Sequence, residues 1–151
     1  MLTNLTQQQW RLVIQLVRLY RARPIAKLSE LLQGEGRLLL YLLEQQGQRV
    51  TPSTASHNLG LSRPRITYIL NALRRKGYVD VNPNKFDRRK VDIVLTPRGR
   101  DCAMRHKREL EYILNQLSQQ LGNDEMEQLI RLLTHINQMI HLLPTNTEER
   151  K

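Results

Sequence analysis

Apolar side chains recur every three or four residues in the first part of the chain, which is the pattern of amphipathic helices. One such stripe lies within residues 7–21, and Pro24 predicts that the helix ends before it. The stripe consists of Trp10, Val13, Ile14, Val17 and Tyr20. A second helix is predicted over about 36–46, closed by Gly47, and its inward residues are Leu38, Leu39, Leu42 and Leu43. Val50 is predicted to form a very short strand.

Two short helices with a glycine-containing turn between them come next. Thr51 and Pro52 predict a helix start, because the hydroxyl caps free amides and proline fits the first helical position. This helix extends to about Asn58. Ser62 caps the following helix, which ends at Gly77. Its inward positions are Ile66, Ile69, Leu70 and Leu73. The two helices and the turn 59–61 form the pattern of a helix-turn-helix.

After Gly77 the spacing of apolar residues changes from 3.6 to 2, which predicts a β-hairpin. Val79 and Val81 alternate with polar residues before the turn, and Val91, Ile93 and Leu95 do so after it. The predicted tip, residues 83–90, carries four cationic side chains and one carboxylate. A hairpin directly after the second helix of a helix-turn-helix is a wing.

The remaining sequence predicts two further helices. Thr96 and Pro97 repeat the cap-and-proline signal and open a long helix that Gly122 breaks, and Asp124 starts the last helix. The polar residues 144–151 are expected to be disordered. The predicted fold is mainly α (α+β), a single domain over 1–151, with a winged helix-turn-helix module at 36–95 and helical arms at 1–28 and 97–143.

The two arms carry more apolar side chains than a module of this size can cover. We therefore expect the arms of two subunits to pair in a homodimer. The predicted dimer-interface residues are Trp10, Val13, Val17, Leu129, Ile136 and Ile140.

The positive charge of the chain is concentrated in one segment. Residues 63–108 contain 14 Lys or Arg, 4 Asp and no Glu, whereas the formal net charge of the rest is zero. A strongly basic block within an apolar-periodic region indicates a polyanionic partner, and nucleic acid is the commonest one. The sequence therefore predicts that the module binds double-stranded DNA.

The second helix of the motif has the chemistry needed to read bases. A helical wheel places Pro64, Arg65, Tyr68, Asn71 and Arg75 opposite the buried stripe. Arg donates in bidentate fashion to guanine and Asn pairs with adenine, while an Arg in the wing fits a narrow minor groove. Asp87 is expected to brace one wing guanidinium through an ion pair. The predicted DNA-binding residues are Ser62, Arg63, Pro64, Arg65, Thr67, Tyr68, Asn71, Arg75, Lys85, Arg88, Arg89 and Lys90.

Two segments make the chain resemble the MarR family of bacterial winged helix-turn-helix regulators. They are Leu70-Asn71-Ala72-Leu73-Arg74-Arg75-Lys76-Gly77-Tyr78-Val79, and Asp87-Arg88-Arg89 followed by Val94-Leu95-Thr96-Pro97-Arg98-Gly99. The resemblance covers nearly the whole chain. It implies a transcriptional regulator, commonly a repressor, that binds a pseudo-palindromic operator as a homodimer. It assigns base reading to Arg63, Arg65 and Tyr68, and the minor-groove contact to Arg88 or Arg89.

The chain departs from the family pattern at two positions. Thr54 stands where an apolar residue is usual in the first helix of the motif, and weaker local packing is expected there. Pro64 lies near the start of the recognition helix, where the first-turn amides need no intrahelical partner.

The resemblance also implies a small aromatic or anionic effector, bound between the arms and the module. No cofactor and no metal are expected, because no His pairs with a Cys or Glu at a clear ligand spacing. The lone Cys102 has Arg98, Arg100 and Arg105 nearby, so an inert buried thiol and a redox switch both stay open.

Two other functional classes are weighed against a DNA-binding regulator. An enzyme is not expected, because no nucleophile elbow, phosphate loop or carboxylate pair occurs in a suitable setting. A winged helix that serves only as a protein-interaction adaptor is the alternative, and a recognition helix without acidic residues argues against it. The absence of a secretory signal and of a long apolar run predicts a cytoplasmic protein.

Overall fold

The computed structural model describes residues 5–45, 48–84, 87 and 89–140. The chain divides into a larger unit that extends to Glu111 and a smaller one that starts at Tyr112. The larger unit contains helices α1 (Gln7–Arg21), α2 (Arg23–Leu32), α3 (Gly34–Glu44), α4 (Pro52–Leu59) and α5 (Arg63–Arg75), and strands β1 (Val79–Pro83) and β2 (Val91–Leu95). Helix α6 (Pro97–Ile140) contributes to both units. The mainly α fold with a two-stranded wing is confirmed.

The sequence analysis placed residues 1–28 in a helical arm but did not recognise α2 as a separate helix. Helix α1 ends before Pro24, as predicted, but Pro24 also occupies the first turn of α2, where a missing amide hydrogen costs no intrahelical bond. Leu31 of this helix is fully buried. Helix α3 starts and ends two residues earlier than predicted, and Gly47 lies outside the described residues.

The core of the larger unit lies between the helix-turn-helix and the elements packed on it. Helix α5 contributes the predicted inward residues, all buried, and α3, α4, the strands and the start of α6 close around them. The core residues include Leu38, Leu39, Ala55, Leu59, Ile66, Ile69, Leu70, Leu73, Val79, Ile93 and Ala103. The recognition helix is therefore held by packing along its full length.

The wing is an antiparallel pair whose register places Val79 opposite Leu95 and Pro83 opposite Val91. Val50 forms the predicted short strand as an isolated bridge with Ile93, which joins the segment before α4 to the wing. Helix α6 is broken at Gly122, which has a φ of 70° and a ψ of 177°. No helix in the described part of the chain is long and apolar enough to cross a membrane.

Candidate nucleic-acid interface

Helix α5 presents a polar outer side to solvent. Ser62 is its N-cap and accepts a hydrogen bond from the Arg65 amide at 3.4 Å, as predicted. The predicted base-reading side chains on this helix are all exposed, and Tyr68 keeps 66% of its surface accessible. The Arg65 guanidinium lies 5.8 Å from the centroid of the Tyr68 ring, a cation–π contact along the helix. Arg65 and Tyr68 therefore present a guanidinium and an aromatic ring side by side on the exposed face of the helix.

No carboxylate lies on α5, but two acidic residues approach its C-terminal part from other elements. Asp80 of β1 lines a shallow depression together with Asn71, Arg74 and Arg75. Glu35 of α3 receives a hydrogen bond from the Lys76 ammonium at 2.6 Å, and this interaction raises the pKa of Lys76. Lys76 is therefore paired with an acidic residue, whereas no salt bridge among the described residues involves Arg63 or Arg65.

Asp87 organises the wing tip through contacts to its neighbours. Its backbone amide donates to Oδ1 of Asn84 at 3.0 Å, and its own Oδ1 accepts from the Arg89 amide at 3.0 Å. Its Oδ2 lies 3.7 Å from the Lys90 ammonium. The observed brace thus joins a backbone amide and an ammonium. The side chains of Arg89 and Lys90 are exposed at the tip, whereas the predicted contacts Lys85 and Arg88 lie outside the described residues.

The end of α5 is fixed to the start of α6 by close backbone contact. Gly77, with a φ of 68°, closes the helix, and the Tyr78 amide donates back to the Leu73 carbonyl at 3.0 Å. The Thr96 hydroxyl donates to the Gly77 carbonyl at 2.7 Å and accepts from the Gly99 amide at 3.0 Å. A Cβ on Gly99 would lie 1.8 Å from the Tyr78 carbonyl oxygen. This junction sets the position of the recognition helix against α6.

The first helix of the motif corrects the expectation for Thr54. Its hydroxyl lies at an exposed position and accepts from the Thr51 amide at 2.8 Å, while the Thr51 hydroxyl accepts from the Thr54 amide at 3.1 Å. The two residues form a reciprocal capping box. The apolar contacts of α4 are made by Ala55 and Leu59 instead, so Thr54 does not weaken local packing.

A cavity of about 530 Å³ lies beside the recognition helix, within the larger unit. It is lined from α2 and α3, from α5 and the residues after it, and from α6. Its side chains are those of Ser29, Glu30, Gln33, Glu35, Leu39, Arg65, Lys76, Tyr78, Cys102 and His106. Arg65 belongs both to this lining and to the outer surface of α5. The cavity and the candidate DNA surface therefore share a side chain.

Cys102 and His106 lie one helical turn apart, and Cys102 Sγ is 3.8 Å from His106 Nε2. The sequence analysis, which found no His at a clear ligand spacing from a Cys or Glu, overlooked this contact, which forms because residues four apart on a helix share a face. Burial lowers the pKa of His106, and the positive charge of Lys27 adds to this effect. Among the described residues, no group of three or more His, Cys, Asp or Glu side chains is arranged to hold a metal ion.

Comparison with known proteins identifies the family. The sequence profile described as MarR family matches residues 30–90. The homoprotocatechuate degradative operon repressor of Escherichia coli is 31% identical over 115 residues, which is 74% of each chain. The chain belongs to the MarR family. The transcriptional repressor MprA of Escherichia coli K12 is also similar, with 30% identity over 67% of this chain and 60% of its own.

Solved MarR-type structures share the fold. The MepR–DNA complex of Staphylococcus aureus has a TM-score of 0.65 at 22% identity, over 91% of this chain and 99% of that one. FabT of Streptococcus pneumoniae in complex with DNA has a TM-score of 0.64 at 23% identity, over 89% and 99%. The haem sensor PefR of Streptococcus agalactiae, in complex with haem, has a TM-score of 0.61 at 18% identity, over 98% and 100%.

Family membership and fold make this protein a DNA-binding transcriptional regulator, as the sequence indicated. The MarR signature around Thr96 to Gly99 now has a structural reason, since both residues fix the end of the recognition helix. The sequence analysis missed that junction, the Glu35–Lys76 pair and the Cys102–His106 pair. Of these three features, only the Cys102–His106 pair could have been recognised from the sequence, because the two residues are four positions apart on a predicted helix.

Proposed function

We propose that this MarR-family protein is a ligand-responsive repressor that binds a pseudo-palindromic operator as a homodimer. Each subunit would place α5 in the major groove and its wing in the adjacent minor groove. The two half-sites would lie about one helical turn apart, roughly 34–36 Å. No catalytic step is part of this function, and a chromosomal DNA partner implies work in the cytoplasm.

The observation that carries the proposal is the exposed N-terminal half of α5. It combines an Arg fork, an aromatic ring and a helix N-terminus with no acidic side chain, which suits both base edges and phosphates. Arg89 and Lys90 of the wing add positive charge that Asp87 offsets only in part. We assign base reading to Arg63, Arg65, Tyr68 and Asn71, with supporting contacts from Ser62, Pro64, Thr67 and Arg75. The cations of the wing tip are assigned to minor-groove and phosphate contacts.

The homodimer is supported by apolar side chains that the subunit leaves uncovered. On α1, Trp10 and Val17 are 40% and 43% exposed, and on the last part of α6, Ile136 and Ile140 are 50% and 51% exposed. Val13 and Leu129 are half-buried. Exposed apolar area on this scale marks an interaction surface. Isologous pairing of two subunits would bury it and would produce two-fold related recognition helices.

The cavity beside α5 is the proposed effector site. Its volume lies within the range of small-molecule sites, and Tyr78, Leu39 and Arg65 suit an aromatic or anionic compound. Because Arg65 also faces the DNA side, an effector that holds its guanidinium would remove a base contact. Repression as the mode of action agrees with the repressor names of two similar proteins.

The proposal is tested by selecting bound sites from a random duplex library with the full-length protein. The expected result is a two-fold related motif whose half-sites are centred about one turn apart. Affinity for the selected site should fall about 10³–10⁵-fold between about 50 and 200 mM salt if roughly 6–10 phosphates are contacted. Sedimentation of the same preparation should show a dimer at micromolar concentration.

The protein-interaction adaptor predicts a different outcome. An adaptor would enrich no sequence and would bind random duplex only weakly at low salt. A monomer that is well folded at micromolar concentration would refute the two-half-site arrangement. Loss of affinity in Arg65→Lys, which keeps the charge and removes the bidentate fork, would separate base reading from simple attraction.

A further inference from the structure

Two acidic residues from other elements border the C-terminal end of α5. This end of the helix is basic, with Arg74, Arg75 and Lys76 in succession. The Lys76 ammonium donates to Glu35 at 2.6 Å. Asp80 of β1 lines a depression together with Arg74 and Arg75, yet among the described residues no salt bridge joins its carboxylate to either guanidinium. Asp80 thus places a negative charge beside the recognition helix that no direct counter-ion in the described structure offsets.

The chain reversal after α5 fixes the position of Asp80. Gly77 has a φ of 68°, and the amides of Gly77 and Tyr78 donate back to the last turn of α5 at 2.9 and 3.0 Å. Strand β1 therefore starts directly beside the end of the helix. Its alternation buries Val79 and leaves Asp80 exposed, opposite Val94 of β2. The backbone of the hairpin thus holds the carboxylate at the solvent-facing side of the depression.

Without Asp80, the depression would attract DNA phosphates of any sequence. It measures about 470 Å³ and offers two guanidinium groups and the amide of Asn71, all on exposed side chains. Guanidinium groups bind phosphate oxygens in bidentate fashion, and such contacts carry no direct sequence information. Attraction of this kind supplies essentially all non-specific DNA binding. An unopposed basic end on α5 would therefore strengthen binding to every duplex.

We propose that Asp80 is a specificity-determining residue, which lowers the affinity for arbitrary DNA by repelling phosphates from the C-terminal end of α5. The inference rests on the proposed function, since it needs α5 to face DNA. Specificity is a difference between two affinities, and repulsion of the wrong partner raises it as attraction of the right one does. On the operator, the base contacts of Arg63 and Arg65 fix where the phosphates lie. On other sequences the duplex can shift until a phosphate meets Arg74 or Arg75, and the carboxylate opposes that shift.

The repulsion between the carboxylate and a phosphate is large enough to measure. Two like unit charges about 7 Å apart in water repel each other by about RT, which changes an equilibrium constant about threefold. A dimer carries two such carboxylates, so the unscreened effect on its affinity is about tenfold. At about 0.1 M ionic strength the Debye length is about 10 Å, so ions remove part of this effect and remove more as the salt concentration rises. We therefore expect an effect of about three- to tenfold at low salt.

The test compares Asp80→Asn with a variant that makes the same charge change elsewhere. Asp101 is an exposed residue of α6 that does not line the depression, so Asp101→Asn is the matched control. Affinities of the full-length proteins for the selected operator and for random duplex of equal length are measured at low salt. Asp80→Asn should bind random duplex about three- to tenfold more tightly than the wild type, and the operator less than about twofold more tightly. Asp101→Asn should match the wild type on both duplexes.

Further measurements separate the charge of Asp80 from a structural role of its side chain. Asp80→Glu keeps the charge and should keep the wild-type ratio of operator affinity to random-duplex affinity. The gain of Asp80→Asn on random duplex should shrink between about 50 and 150 mM salt, because ions screen charge repulsion but do not change packing. Unfolding of Asp80→Asn in urea should match that of the wild type, since the replaced carboxylate is exposed.

Several results would overturn the role of Asp80. An equal gain on operator and random duplex would remove its effect on specificity, and an equal gain in Asp101→Asn would assign the effect to net charge. No gain on random duplex, or a loss on both duplexes, would contradict the repulsion itself. A wild-type protein that selects no sequence would instead refute the proposed function. In that case, the comparison of Asp80→Asn with Asp101→Asn on random duplex would still decide whether Asp80 repels phosphates.

Discussion

Replacing Gly99 by Ala tests whether the junction between α5 and α6 depends on backbone contact. Gly99 lies in the first turn of α6, where helix propensity alone predicts that Ala would stabilise the protein by roughly 0.5–1 kcal/mol. The structure predicts the opposite sign. The new Cβ would lie 1.8 Å from the Tyr78 carbonyl oxygen, 2.7 Å from its carbonyl carbon and 3.0 Å from its Cα.

The loss of stability in Gly99→Ala depends on which atoms must move to relieve the clash. The colliding atoms belong to the backbone, so no side-chain rotation relieves the clash, and α6 must shift by more than an ångström from Tyr78. Overpacking of this kind costs about 1–3 kcal/mol, and the backbone contact places Gly99→Ala at the upper end. A loss of ~3 kcal/mol would lower the Tm by roughly 6–12 °C for a chain of this length.

Thermal and urea unfolding of the full-length protein provide the assay. Gly60→Ala is the matched control, because a Cβ there meets no atom within 4 Å and its φ of 60° should cost only about 1–2 kcal/mol. The Gly99 variant should be the less stable of the two and should bind the operator more weakly under conditions where both are folded. An unchanged or raised Tm in Gly99→Ala would refute the close backbone contact between Gly99 and Tyr78.

Three further predictions concern the same surfaces. Arg65→Ala should lower the affinity for the selected operator by about 1–3 kcal/mol and relax sequence specificity at one base pair per half-site, whereas Arg89→Ala should lower the affinity for every duplex alike. Selection of bound sites with both variants is the test. An equal loss of affinity on all sequences in Arg65→Ala would show that Arg65 contacts a phosphate. Thr96→Val loses the bond to the Gly77 carbonyl and the cap of the Gly99 amide, so unfolding in urea should show a cost of roughly 1–2 kcal/mol that Thr96→Ser avoids. Because burial lowers the pKa of His106, the unfolded chain binds the proton more readily. Stability should therefore decline as pH falls through about 6.5, and a smaller decline in His106→Gln would confirm the assignment.

Local signals in the sequence were sufficient for the helix-turn-helix and the wing. These signals are helix caps such as Ser62, helix-ending residues such as Gly77 and the change of apolar spacing. Each depends only on residues close together in the sequence, so each can be recognised without knowledge of the tertiary structure. Helix α2 was missed because Pro24 was interpreted as a stop signal, although the same residue suits a first turn. Thr54 was misjudged because its partner is a backbone amide three residues away, which an apolar pattern does not show.

The tertiary parts of the site were not predictable in this way. The approach of Gly99 to Tyr78 and the pairing of Lys76 with Glu35 join residues 21 and 41 positions apart in the sequence. Such contacts depend on how the helices pack, and neither residue type demands the partner that it has. The sharing of Arg65 between the cavity and the outer surface likewise depends on the direction of one long side chain.

The energies of these contacts limit how an effector can release DNA. The Lys76–Glu35 pair is partly exposed, and breaking such a pair changes stability by no more than about 1 kcal/mol, which is too little to drive a switch. Moving a two-state equilibrium from 1:99 to 99:1 takes about 5.5 kcal/mol. If Arg65 reads a base as we propose, its withdrawal in both half-sites would supply about 2–6 kcal/mol, given the usual 1–3 kcal/mol for a bidentate contact. An occupant that engages Arg65 in each subunit therefore reaches the required free energy only when both contacts are near the upper end of that range, whereas breaking the ion pair in both subunits supplies no more than about 2 kcal/mol and does not reach it.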